Sequence, residues 1–184
     1  MADISINSTK FWTRTAILLA AALAFQMGGF PQPVTGPAVN AVLIIAVGLI
    51  GPLAAVIIGA FTPIIAFIRG ILPPPLGPMI PAIVFGNALY AIIFFFISWS
   101  RKRTKPATAK IKVFSISTIL AVIVGALAKF FILAWAVNFM VQVPEPIAQM
   151  MTLPQLYTAL VGGGIALLVL KALPDSLKVD SKIF

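Results

Sequence analysis

The sequence predicts an all-α integral membrane protein with six transmembrane helices and both termini cytoplasmic. Three observations carry that prediction. Hydrophobic residues make up 61% of the 184-residue chain and charged residues only 9%, against about 25% charged in an ordinary soluble domain. Several stretches approach or exceed the roughly 18 apolar residues that mark a membrane helix. The positive charges also fall in blocks between those stretches, the arrangement that sets membrane orientation.

The first apolar run covers about 11–30 and ends at "PQPVTGP". Lys10, Arg14 and "ALA" at 22–24 resemble a signal peptide with its cleavage site, but the run continues towards Phe30, long enough to cross, and is read as a retained span. Residues 38–68 are mostly apolar and too many for one ordinary crossing. Gly51–Pro52 divides them, because proline disfavours helix at the preceding residue. Two short spans result, about 38–50 and 52–69, the second interrupted at Pro63. "GILPPPLGP" ends the third span, since consecutive prolines favour extended backbone. The fourth is expected over about 79–99, the fifth over 113–140 and the sixth over 154–173. Residues 1–184 thus read as a single six-helix membrane domain.

With the N-terminus inside, 11 of the 13 lysines and arginines lie on the cytoplasmic side, all but Arg69 and Lys129. The net charge of +9 is therefore a topology signal, and no nucleic-acid partner is expected. The basic segment "RKRTKPATAKIK" is placed inside, where it suits anionic headgroups or a cytoplasmic partner. Trp12 and Trp99 near the inner boundary, with Trp135 and Tyr157 near the outer one, suit interfacial aromatic belts.

Polar residues inside the spans are costly, so their depth carries information. At about 1.5 Å per residue, Lys129 lies about 25 Å along its helix from Lys112, in the outer half of a core about 30 Å thick. Gln26, Asn40, Asn87 and Thr158 fall at comparable depth on four other spans. Facing one another, the five make an outward-opening polar pocket, walled by Tyr90, Trp135 and neighbouring phenylalanines; facing apart, they make separate interhelical hydrogen bonds. A lysine at the centre of a membrane helix costs about 2.5–3.5 kcal/mol, and no Asp or Glu lies in any span to pair with it. Either Lys129 meets an anion brought by a ligand, or its stem snorkels to the outer headgroups. Arg69, beside the proline-rich loop, is an interfacial anchor or a further ligand contact.

Absences narrow the function. There is no histidine and no cysteine, so thiol chemistry, imidazole catalysis and the usual zinc ligands are missing. Without intramembrane acids there is no usual proton relay, and no GxxxxGK[ST] phosphate loop is present. Neither a catalytic residue nor a metal site or cofactor is expected, and the chain is read as a binding protein, not an enzyme.

Ala16, Ala20 and Ala24 recur every four residues on the first span, a spacing that lets another helix approach closely. With that face, "AILLAAALA", "TGPAVNAVLI", "GPLAAVIIGAFTPIIAFIRGILPPP" and "GPMIPAIVFGNAL", the whole chain resembles the substrate-binding S components of energy-coupling-factor (ECF) transporters, which import vitamins and related micronutrients into prokaryotes. The resemblance implies a multi-pass protein of the prokaryotic plasma membrane, a coupling-subunit contact at Ala16, Ala20 and Ala24, and energy supplied by two partner ATPase subunits. It also implies a substrate pocket near the outer face, closed by "PQPVTGP" and "GILPPPLGP". Substrate contacts are expected from Lys129, Asn87, Gln26, Asn40, Tyr90, Trp135, Thr158 and Arg69. A stand-alone carrier or channel, and a membrane assembly factor without catalysis, remain the alternative readings.

Overall fold

Each long helix begins where the sequence supplies a cap or a proline that needs no donor. In the computed structural model, which describes residues 8–100 and 113–178, Ser8 caps α1 (Thr9–Met27) by accepting from the Phe11 amide at 3.2 Å. The next helix, α2 (Gln32–Leu49), has Pro33 in its first turn, and α3 (Pro52–Ile68) starts on Pro52 itself. A proline is tolerated there because first-turn amides have no intrahelical partner. Gly51, between α2 and α3, adopts φ +129°, which a side chain would resist. A 3₁₀ turn (Pro74–Met79) runs directly into α4 (Ile80–Ser100). At the start of α5 (Ile116–Phe139), Ser115 and Thr118 form a reciprocal capping box. The short α6 (Glu145–Gln149) precedes α7 (Leu153–Ala172).

Two expectations about proline are corrected. "PQPVTGP" is largely helical, so α2 starts at Gln32 and that segment is no closing loop. Pro63 does not interrupt α3, which continues to Ile68. An interior proline removes one amide and crowds the carbonyl four residues back; here packing keeps the helix continuous.

Helices α2, α7, α5, α4 and α3 pack in that order as a closed ring, since α3 returns to α2. Helix α1 lies outside the ring against α2 and α3, burying little beyond Phe11, Thr15 and Ala22. The main core fills the ring with Leu43, Ile44, Ile58, Phe94, Val122 and Leu167 among others. A second cluster, around Leu76, Met79, Leu133 and Met151, closes one end of the bundle. The opposite end holds Phe11, Ile50 and Ala54, where Arg14 reaches the Leu49 carbonyl at 3.4 Å.

Two adjacent glycines bring α7 into this ring. A Cβ at Gly162 would lie 2.5 Å from the Pro37 carbonyl oxygen of α2, and one at Gly163 would run into the Val122 side chain of α5. Only hydrogen fits at either position, so "GGG" makes α7 thin where it is wedged between two neighbours.

The chain is an all-α membrane protein. Four helical stretches are long and apolar enough to cross a bilayer among the described residues: Gln32–Leu49, Pro74–Ser98, Ile116–Phe139 and Glu145–Ala172. Helix α3 is apolar but only 17 residues long, about 25 Å at the usual rise. Helix α1 carries Lys10 and Arg14 in its first two turns. Large side chains such as Ile68, Phe85, Phe96, Phe131 and Phe139 project outward all round the bundle, as a lipid-facing surface requires and a soluble monomer avoids. Trp12, Trp135 and Tyr157 are also exposed. The basic segment 101–112, assigned to headgroups or a partner, lies outside the described residues, as does the Trp99 side chain.

Candidate functional site

The site is built around Lys129, about four turns into α5. Its stem passes over Gly86 of α4, where a Cβ would come within 3.3 Å of Lys129 Cγ. Lys129 is 3% exposed, and its ammonium donates to Asn40 Oδ1 of α2 at 2.7 Å. Asn40 Nδ2 in turn donates to the Gly36 carbonyl at 2.9 Å and reaches Thr158 Oγ1 of α7 at 3.4 Å. Lysine, asparagine and threonine thus tie α5, α2 and α7 together at one level. Lys129 faces the bundle interior and does not snorkel outward.

A second polar group arises from Pro63. In an α-helix the amide of residue 63 would bond the carbonyl of residue 59, and proline has no amide to give. The freed Gly59 carbonyl accepts instead from Asn87 Nδ2 of α4 at 2.9 Å. Gly59 also makes the room: a Cβ there would sit 2.8 Å from Asn87 Cβ. That bond fixes which way the Asn87 amide points. Its oxygen, Oδ1, is buried with no partner among the described residues, and so are Thr62 Oγ1 and Gln26 Oε1.

These groups line one cavity of about 110 Å³ at the end of the bundle capped by the second apolar cluster. Each of the six long helices contributes a polar side chain: Gln26, Asn40, Thr62, Asn87, Lys129 and Gln155. Val39, Ala66 and Ile83 supply apolar wall, and the segments Ile71–Pro73 and Met150–Met151 cover it. The volume is below the roughly 150 Å³ that admits a benzene ring. A larger ligand therefore requires the covering segments to shift, and the flexible methionine side chains there can repack at low cost.

No family model, curated protein or solved structure matches the chain. The site is therefore read from its own geometry.

Of the residues singled out in the sequence, Lys129, Asn40, Asn87 and Gln26 meet at the cavity; the other four substrate candidates do not line it. Tyr90 is fully buried in the main core, its hydroxyl donating to the Ala159 carbonyl at 2.7 Å as a bolt between α4 and α7. Trp135 is 58% exposed and stacks obliquely on Phe139, so it faces outward and walls nothing. Thr158 sits behind Asn40 against Gly36, where it donates to the Gln155 carbonyl at 3.1 Å. Arg69 is exposed at the end of α3. Sequence reasoning missed Thr62, Gln155 and the covering methionines. For Thr62 a signal existed in "TP", which marks a helical carbonyl about to lose its donor. Gln155 lay at a helix start, where polar residues are ordinary.

Proposed function

We propose that the chain is the substrate-capture subunit of an energy-coupling-factor type importer, taking a small vitamin-like micronutrient into the cavity for ATP-driven uptake by partner subunits. One observation carries this reading: all six long helices converge polar side chains on one cavity around a buried lysine. No acidic residue occurs in any of those helices, so an anionic group on the ligand is the natural counter-charge for Lys129. In this reading six helices cross the prokaryotic plasma membrane, both termini are cytoplasmic and the cavity end faces outward.

Energy comes from elsewhere, through a transmembrane coupling subunit and two ATPase subunits. Ala16, Ala20 and Ala24 are all exposed on α1, the helix outside the ring. A strip of small side chains there leaves a coupling helix free to approach closely, which supports the assignment implied by the family resemblance.

The test is purification of the tagged chain from its native membrane. The proposal expects a coupling subunit and two ATPases to copurify, and mass spectrometry to find a small molecule released on denaturation. Proteoliposomes of the complex should then accumulate that molecule only with ATP inside the compartment that holds the ATPases. Uptake by the chain alone, without nucleotide, would make it a stand-alone carrier.

A further inference from the structure

The cavity presents two kinds of unmet chemistry, and a simple anion answers only one. An ammonium has three hydrogens to donate, and Asn40 Oδ1 takes one of those on Lys129. The buried atoms of the remaining wall that still want a partner are oxygens. Asn87 Oδ1, Thr62 Oγ1 and Gln26 Oε1 are buried without a partner among the described residues, and Thr62 and Asn87 are only 1% and 3% exposed.

The orientation of Asn87 is not a free choice of amide flip. Its nitrogen holds the Gly59 carbonyl, which can only accept, so the atom left for a ligand is the oxygen. A carboxylate or sulfate placed against that oxygen would meet acceptor with acceptor. It would lose there what it gains at Lys129. A neutral hydrogen-bond donor would satisfy the acceptors and leave the charge of Lys129 uncompensated.

We propose that the cavity selects an organic anion that also carries an N–H or O–H donor, its anionic oxygens on Lys129 and its donor on Asn87 Oδ1 and Thr62 Oγ1. This rests on the capture reading and narrows its substrate class. An anion without a hydrogen to donate leaves the buried oxygens unmet, and an uncharged amide leaves the charge of Lys129 uncompensated.

The experiment compares matched one-ring probes on the full chain in detergent by thermal shift and titration calorimetry. The probes are 3- and 4-aminobenzoate, benzoate, 3- and 4-aminobenzamide, and inorganic sulfate, which carries no O–H. At least one aminobenzoate should bind about tenfold or more tightly than benzoate, the corresponding amide or sulfate, as a donated bond in a buried site implies. Thr62→Val, which breaks no hydrogen bond among the described residues, should shrink the advantage over benzoate and leave benzoate binding unchanged. Lys129→Met should remove the advantage over the amide. Equal binding of benzoate, sulfate or an aminobenzamide would overturn the proposal, and so would a panel in which nothing binds or a Thr62→Val chain that discriminates as before. Failure here with the coupling and ATPase subunits still copurifying would leave the capture reading standing with another substrate class. Probe binding as expected without those partners would keep this ligand class and remove the capture-subunit reading.

Discussion

Lys129 and Thr62 carry opposite kinds of unmet potential, and their substitutions separate binding from stability. Lys129→Met removes a buried charge but leaves Asn40 Oδ1 without its donor. Relief of about 1–4 kcal/mol for exchanging buried ions for apolar groups works against about 1–3 kcal/mol for the orphaned oxygen. Unfolding in detergent should therefore shift little, while affinity for the natural ligand falls at least about tenfold. Unchanged affinity in the titration would remove Lys129 from the site. Thr62→Val should leave the ligand-free chain equally stable or firmer by about 1 kcal/mol, since a buried hydroxyl without a partner is replaced by a methyl. A clear loss of thermal stability would mean that this hydroxyl is bonded in solution.

At the scale of elements, two sequence features that look like defects position the site. Pro63 frees the carbonyl that holds Asn87. Pro63→Ala should strengthen α3, where interior proline costs about 3 kcal/mol, yet weaken ligand binding because the restored amide competes with Asn87 for Gly59. Thermal unfolding and binding should move in opposite senses; a stabilised variant with full affinity would show that Asn87 does not need that anchor. The run "GGG" offers an internal control. Gly162→Leu should destabilise by about 1–3 kcal/mol or more through overpacking, because it meets the Pro37 carbonyl at 2.5 Å. Gly164→Leu should be tolerated, since nothing lies within 4 Å of its Cβ position. Expression and detergent melting of the two variants check this directly. The same region shows why element boundaries were only partly legible. The break at Gly51–Pro52 and the end of α3 at "GILPPPLGP" follow from local chemistry, and the structure has both. The start of α2 did not follow, because a proline in a first turn reads the same as a proline in a loop.

At the scale of the whole molecule, the proposed orientation has a direct test, since the chain has no native cysteine. Single cysteines at Gln149, near the cavity end, and Ser176, beyond α7, replace exposed side chains. A membrane-impermeant maleimide should label Gln149→Cys in intact cells and Ser176→Cys only after lysis. The reverse pattern would invert the protein and place the cavity towards the cytoplasm.

The sequence by itself determined the class, all-α and membrane-embedded, because composition and apolar length are properties of the chain alone. It also put Lys129, Asn40, Asn87 and Gln26 at a common level, where they meet at one cavity, because rise along a helix is a matter of counting. Rotation about each helix axis was beyond it. A helix apolar all round gives no face to read, and lipid is as apolar as the bundle core, so hydropathy cannot separate inward from outward. Only the tertiary structure decided that Trp135 faces out, that Tyr90 and Thr158 bind helix to helix, and that Thr62 and Gln155 complete the cavity.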